Sequence, residues 1–293
     1  MRYLFLLLFL CNCQNGDGIK SIGLAGTLFQ HQELVSHNGL FAVENSYVYK
    51  GNDLISLFDL NASGQMTYAV VGENYKNISN VTPVLSDGAR FSYVIENQGR
   101  YENLVTRNAK IYLLTSDDLI NWTDEGVILD NSNNREEINH QQWNASHCYD
   151  SSNNRHMLVE SGSGVVPSQQ DVELIHYINE TPSAISSIKG GGNAWITFID
   201  GKGFLSIHGV VSNGYWIVQA SILREGETNW ITIPAEVFSF TAPALDVADP
   251  HLIETLDGYI LMSMSYAQNS AATFITTEKM NFSELFDYLE GAL

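Results

Sequence analysis

The stretch ADPHLIETLDGYILMSMSY, Ala248 to Tyr266, decides the fold. It reads as two strands around an Asp257-Gly258 turn, a strong short-range hairpin signal, and it begins with a carboxylate at Asp249. The same pattern recurs upstream. Gly51-Asn52-Asp53, Asp87-Gly88, Asp150 to Asn154 and Asp200-Gly201 each separate two apolar, β-branched or aromatic runs. The spacing from the first turn to the last averages about 51 residues per step, within the repeat range of propeller blades.

A second marker keeps the same step. TSDDLINW ends on Trp122, Asn229-Trp230 follows 108 residues later, and TTEKMNF ends on Phe282 after a further 52. Those offsets are two blades and one. Each unit is therefore expected to be a four-stranded blade, with the Asn-aromatic pair in the connection to its outermost strand and the ring packed between blades. Five such units fit between roughly Gly39 and Leu293. The expected fold is all-β, a five-bladed β-propeller of four-stranded antiparallel blades.

Composition bounds the rest. At 44% hydrophobic and 16% charged, 293 residues can bury one large core, and no Pro/Ser-rich linker divides them. Residues 1–18, MRYLFLLLFLCNCQNGDG, carry Arg2 and then an apolar run of about eight residues, too short to span a bilayer. They read as a secretory signal and tether, leaving 19–293 as a single propeller domain. Cys13, before a polar Gln-Asn-Gly-Asp segment, resembles the lipidated cysteine of a bacterial lipoprotein signal; an ordinary cleaved signal is the alternative. Export is expected either way, to a secreted, periplasmic or lipid-anchored location. The formal charge of -19 argues against nucleic acid and against an anionic membrane surface. Membrane contact is expected only through a lipid anchor at Cys13, and a neutral carbohydrate is the expected partner.

No CxxC, HExxH, Walker or GxSxG pattern occurs, so thiol-redox, zinc-protease, P-loop and serine-hydrolase chemistries lack their signatures. Beyond the amino-terminal segment Cys148 stands alone, and no disulfide framework is expected. Neither a cofactor nor a dense metal-ligand cluster is legible. A calcium ion held by water and a few oxygens at the propeller centre would leave little signature.

ADPHLIETLDGYILM and TSDDLINWTDEGVIL resemble the blade motifs of the five-bladed β-propeller glycosidases, the superfamily that includes glycoside hydrolase families 43, 32, 68 and 130. The resemblance implies an active-site funnel at one end of the axis, with catalytic carboxylates near the starts of innermost strands. It also implies three acids: Asp in the first blade, Asp in a middle blade and Glu in a later one. Glycosidic cleavage needs one carboxylic acid to protonate the leaving oxygen and a second carboxylate to activate water or attack carbon.

Counting about eight residues back from each turn reaches Glu44, the Ser79 to Thr82 stretch, Asn144, Asn193 and Asp249. Only two positions are acids, and Asn144 and Asn193 stand where the resemblance implies middle acids. In an antiparallel hairpin the second strand returns to the same rim. Counting about eight residues forward reaches Asp59, Glu96, Glu160, His208 and Ser265-Tyr266, after the runs SLFD, YVIE, MLVE and LSIH. The candidate catalytic carboxylates are thus Asp249 and Glu44, with Glu160 or Glu96 as general acid. Candidate sugar contacts are Trp143, Asn144, Asn193, Trp195 and Tyr266. His208 is read as a core histidine, a sugar contact or a ligand to a central ion. Two functions remain: an exported glycosidase acting on a neutral polysaccharide or oligosaccharide, and a non-catalytic glycan- or protein-binding propeller that has lost part of its acid set.

Overall fold

The computed structural model describes residues 28–33, 42–60, 64–73, 75, 77–108, 110–130, 141–162, 172–212, 215–234, 247–266 and 270–293. The amino-terminal segment, with Cys13, lies outside them. The first described strand is β1 (Phe29–Glu33). Blade one follows as β2 (Ala42–Lys50), β3 (Asp53–Leu60), β4 (Met66–Val71) and β5 (Ile78–Leu85); blade two is β6 (Arg90–Asn97), β7 (Arg100–Arg107), β8 (Lys110–Ser116) and β9 (Thr123–Asp130). Blade three is β10 (Gln141–Tyr149), β11 (Arg155–Gly162), β12 (Glu173–Ile178) and two short pieces, β13 (Thr181–Pro182) and β14 (Ile188–Lys189). Blade four is β15 (Gly191–Ile199), β16 (Gly203–Ser212), β17 (Tyr215–Arg224) and β18 (Ile231–Thr232). Blade five is β19 (Val247–Glu254), β20 (Ile260–Tyr266) and β21 (Ser270–Thr276), completed by β1, which pairs with β21. The two ends of the described chain thus share one sheet and close the ring. Each innermost strand packs against the next in the order β2, β6, β10, β15, β19 and back to β2.

The burial pattern follows from this arrangement. A blade covered by neighbours on both faces needs second strands that are apolar almost throughout. β3 is buried from Leu54 to Asp59, and β11 is buried from His156 to Gly162, whereas the outermost β5 and β9 are largely exposed. Apolar clusters fill the gaps between blades, for example Leu158, Leu174, Ile196, Phe204 and Trp230 between blades three and four. A fully buried Leu or Ile contributes about 1.5–3 kcal/mol through its area removed from water. Trp122 and Trp230 occupy the connections to β9 and β18 and pack between blades, as the repeat implies. Asn281-Phe282 differs. Asn281 caps a helix, α1 (Phe282–Glu290), through a reciprocal capping box with Glu284. β1 already supplies the outer strand of blade five, so the carboxy terminus is free to fold as this helix over blades four and five.

Four of the five expected hairpin turns join a first strand to a second; Asp87-Gly88 instead connects β5 to β6. The blade-two hairpin turns at Gln98-Gly99, where both residues have positive φ (53° and 82°), as a two-residue type I′ turn requires. An Asp-Gly pair serves a blade-to-blade connection as well as a hairpin, so the local signal pointed to the wrong loop. The Ser79 to Thr82 stretch therefore belongs to the outermost strand β5, and the innermost strand of blade two begins at Arg90.

Candidate active site

All five innermost strands carry a β-bulge at the same height. The register slips by one residue between Val43 and Ser46, Arg90 and Tyr93, Gln142 and Ala145, Gly192 and Trp195, and Ala248 and His251. A bulge frees one residue from the ladder and re-aims its side chain. Here the first extra residues are Glu44, Phe91, Trp143, Asn193 and Asp249. Glu44, Phe91, Asn193 and Asp249 have φ between 49° and 56°, a left-handed conformation costing on the order of 1–3 kcal/mol for residues other than glycine. The bulge pairs Glu44-Asn45, Phe91-Ser92, Asn193-Ala194 and Asp249-Pro250, with Asn144 and Ala145, line one funnel on the axis; Tyr93 and His251 form its floor. Tyr93 spans the axis, donating its hydroxyl to the Ile196 carbonyl at 3.1 Å.

A bulge also leaves a backbone N–H without a ladder partner. The preceding blade supplies the acceptor: Phe91 N–H donates to Glu44 Oε2 at 2.9 Å, Asn193 N–H to Glu160 Oε2 at 2.9 Å and Glu44 N–H to Ser265 Oγ at 2.9 Å. Two acids and a serine are thereby fixed at the rim by the same rule. Arg90 adds a charge, 2.8 Å from Glu44 Oε1 and 3.4 Å from Asp59 Oδ2. Asp59 also accepts from the N–H groups of Gly64 (2.9 Å to Oδ1) and Gln65 (3.2 Å). Glu160 Oε2 receives the Asn144 amide at 3.1 Å, so both Glu160 bonds fall on one oxygen and Oε1 is left out of them.

The electrostatics are those of a protonatable site. Burial, then the charge of Asp249, pushes the Glu44 carboxyl above its ordinary range, against the pull of Arg90. Burial also raises Asp249, against a Ser265 hydrogen bond and Arg90. The two titrate as a pair, and the first proton belongs to both. Glu160 is pushed up to about 7 by burial, with Asp249 adding to the rise and the Asn193 N–H opposing it. Among the described residues no group of three or more His, Cys, Asp or Glu is placed to hold a metal ion.

The structure thus brings Glu44, Asp249, Glu160, Asn144 and Asn193 together. Trp143, not Asn144, shares the bulge position of Glu44 and Asp249; the side chains of Trp143 and Tyr266 lie outside the described residues. Two expectations are corrected, those for Glu96 and Trp195, and the alternatives for His208 are decided. Glu96 does not return to the rim: blade two turns at Gln98-Gly99, which places Glu96 exposed at the opposite end of the axis, accepting from Gly99 N–H at 2.6 Å. Trp195 lies past its bulge and packs against Phe282, ring centroids 4.8 Å apart, in the core between blades four and five. Of the three readings of His208 the structure has the core histidine, not the sugar contact or central-ion ligand: its Nδ1 donates to the Gly209 carbonyl (3.2 Å) and its Nε2 accepts from Ser221 Oγ (2.8 Å).

Arg90, Ser265 in its bridging role and Trp216 were not singled out from the sequence. The turn Gln98-Gly99 carries the signal for Arg90, because eight residues back from it is Arg90 itself. Trp216 had a fainter one, the glycines Gly192 and Gly209, which leave its ring room to lie on the sheet.

No protein-family model matches the chain, and no curated protein matches it. Solved structures do. An endo-arabinase from Bacteroides thetaiotaomicron is 14% identical with a TM-score of 0.64, the match covering 86% of this chain and 98% of that one. A thermostable family-43 glycoside hydrolase is 8% identical at TM-score 0.60, covering 83% and 91%. A structure from the GH130 family of mannoside phosphorylases, which contains glycoside hydrolases that target β-1,2 mannosidic linkages in Candida mannan, is 10% identical at TM-score 0.59, covering 90% and 94%. At these identities the likeness is one of architecture: the chain has the five-bladed β-propeller fold of the glycoside hydrolases.

Proposed function

We propose that this protein is an exported glycoside hydrolase that cleaves a neutral polysaccharide or oligosaccharide in the axial funnel. The observation that carries the reading is the grouping of Asp249, Glu44 and Glu160 at one end of the axis, all raised by burial, so that protons and negative charge coexist there near neutrality. That is the condition for general acid–base work on a glycosidic oxygen. Glu160, raised to about 7 and with Oε1 left out of the Asn144 and Asn193 bonds, is the general acid. Asp249, facing both other carboxyls, acts as base or nucleophile. Arg90 and the Phe91 N–H hold both oxygens of Glu44, which orients it and limits it to tuning Asp249. Two buried polar atoms at the funnel, Asn45 Nδ2 and Asn144 Oδ1, have no partner among the described residues, and a donor and an acceptor so placed suit sugar hydroxyls. Export rests on the signal-like residues 1–18, and surface anchoring on Cys13.

A second reading has its own observation. None of the bulge residues of the three middle blades, Phe91, Trp143 and Asn193, is an acid, whereas the resemblance implies an acid in a middle blade, and such a funnel could bind glycan without cleaving it. The test is release of reducing sugar from arabinans, xylans, fructans, mannans and aryl glycosides by the mature protein, with Asp249→Asn alongside. Turnover lost in the variant is the expected result. Absence of turnover on every substrate, with glycan binding intact in both proteins, overturns the enzyme in favour of the binding module.

A further inference from the structure

Trp216, on the third strand of blade four, is far from the axis in sequence register, yet its ring reaches the funnel wall. The path is cut by two glycines. Gly192 on β15 and Gly209 on β16 face each other in the sheet, and Gly209 faces Val218, two residues from Trp216 on the same face of β17. A β-carbon at Gly209 would lie 2.9 Å from Trp216 Cε3, and one at Gly192 would lie 2.8 Å from Trp216 Cη2. Neither position admits a side chain while the indole is there. The same point above Gly192 lies 3.1 Å from both Cδ and Oε2 of Glu160. The indole edge and the carboxyl therefore both crowd the space over Gly192, across the gap between blades three and four.

We propose that Trp216 is the positioning residue for Glu160: slotted over Gly192 and Gly209, its indole walls one side of the carboxyl off from water and holds Oε2 against the Asn193 N–H. The inference rests on the assignment of Glu160 as general acid for its meaning in catalysis, but the contact itself does not. The groups facing Glu160 support it. From β10 comes the Asn144 amide, from β15 the Asn193 N–H, from β19 the charge of Asp249, and from β17 the apolar indole. None of these is a cation that would favour the ionised carboxylate, and the apolar wall works in the same direction as Asp249, toward the protonated acid. Trp216 stays partly exposed, so the wall is also open to a ligand.

The experiment is a carbon-13 NMR titration of the glutamate carboxyls in the mature protein, with the Glu160 signal identified by its loss in Glu160→Gln. In Trp216→Ala the Glu160 midpoint is expected to fall by about one pH unit as water reaches the carboxyl. In Trp216→Phe, whose shorter ring keeps an apolar face but reaches less far, it is expected to fall by less. An unchanged midpoint in a folded Trp216→Ala overturns the proposal; should that variant not fold, an unchanged midpoint in Trp216→Phe does so. The alkaline limb of kcat/KM separates the two assignments. A limb that moves with the NMR midpoint supports both. A midpoint that moves while the limb stays, or while no substrate is turned over, supports the role of Trp216 and overturns Glu160 as the acid.

Discussion

Glu160 at the funnel and Glu102 at the other end of the axis are both glutamates beside innermost strands, yet the protein treats them oppositely. Burial lifts Glu160 to about 7. Burial pushes Glu102 up too, but the Asn97 amide, His147, the Tyr149 hydroxyl and Arg155 outweigh it, and the carboxyl stays below its usual range. The pattern extends beyond the pair. Asp150 and Asp257, in turns at the Glu102 end, are pushed up by burial but held low by hydrogen bonds that outweigh it, and Asp118 is held low by the N–H groups of Asn121 and Ile120. One end spends its carboxylates on tying turns and strands together. The other keeps three of them poorly compensated, which is unfavourable for the fold and is the usual mark of a chemical site.

The largest effect expected from this contrast is on turnover. Glu160→Gln should lower kcat by about 10²- to 10⁴-fold, the scale of a lost general acid, while Glu102→Gln should leave kcat within a factor of two. Steady-state kinetics on the substrate found by the saccharide panel decides it. Equal losses in both variants would mean that the two ends are not functionally distinct.

The same contrast fixes how stability depends on pH. The funnel carboxyls have folded pKa values above their unfolded ones, so their contribution is fully present below about pH 4 and is lost as pH rises through the 6–8 region. Glu102, Asp118, Asp150 and Asp257 are the reverse, contributing above their unfolded values and losing it as the solution turns acid. Urea unfolding from pH 3 to 9 should therefore show a maximum near pH 5 and a decline toward pH 8. Glu160 accounts for about 3 kcal/mol of that decline, and Glu160→Gln should remove that part. A decline unchanged in Glu160→Gln would mean that this carboxyl is not raised.

Arg155 tests the other end. It donates to Glu102 Oε2 (3.0 Å), Glu180 Oε1 (2.6 Å) and the Tyr149 hydroxyl (2.9 Å), and its side chain is 14% exposed. Arg155→Ala leaves Glu102 partly buried without its cation and should cost about 2–3 kcal/mol at pH 7. As the solution turns acid and Glu102 protonates, the deficit should shrink.

Much of the fold, and half of this contrast, was legible in the sequence. Turn chemistry at Gly51 to Asp53, Asp150 to Asn154, Asp200-Gly201 and Asp257-Gly258 set the blade length, and the innermost-strand starts led to Glu44, Asn193 and Asp249. What escaped depends on information that local pattern does not hold. Asp87-Gly88 outscored Gln98-Gly99 as a turn signal, which shifted blade two, hid Arg90 and sent Glu96 to the wrong end. The loop between β10 and β11, Asp150 to Asn154, is longer than the two-residue turn between β2 and β3, so counting back from its middle lands one residue off, at Asn144 where the bulge begins at Trp143. Trp216 reaches the site across three strands, a relation visible only once the glycines of β15 and β16 are in register.

The smallest expected effect is also the sharpest check that the two ends are independent. Asp118 sits in the turn between β8 and β9, its carboxylate accepting from the Ile120 N–H (2.9 Å), the Asn121 N–H (2.8 Å) and the Asn121 amide (2.7 Å). These bonds shape the connection into Trp122, which packs against Leu57, Leu119 and Val94. The Asp118 backbone carbonyl also accepts from Lys50 Nζ at 2.9 Å, at the far end of the strand that carries Glu44. Asp118→Ala should cost about 1 kcal/mol, the scale of a lost capping side chain, because the site is partly exposed and water replaces some of the bonds. That is a fall of about 2–4 °C in Tm for a chain of this size. The pH profile of kcat/KM should not move at all. A shifted profile would mean that strain at the turn travels along β2 to the Glu44 bulge, and the two ends would then have to be treated as one electrostatic unit.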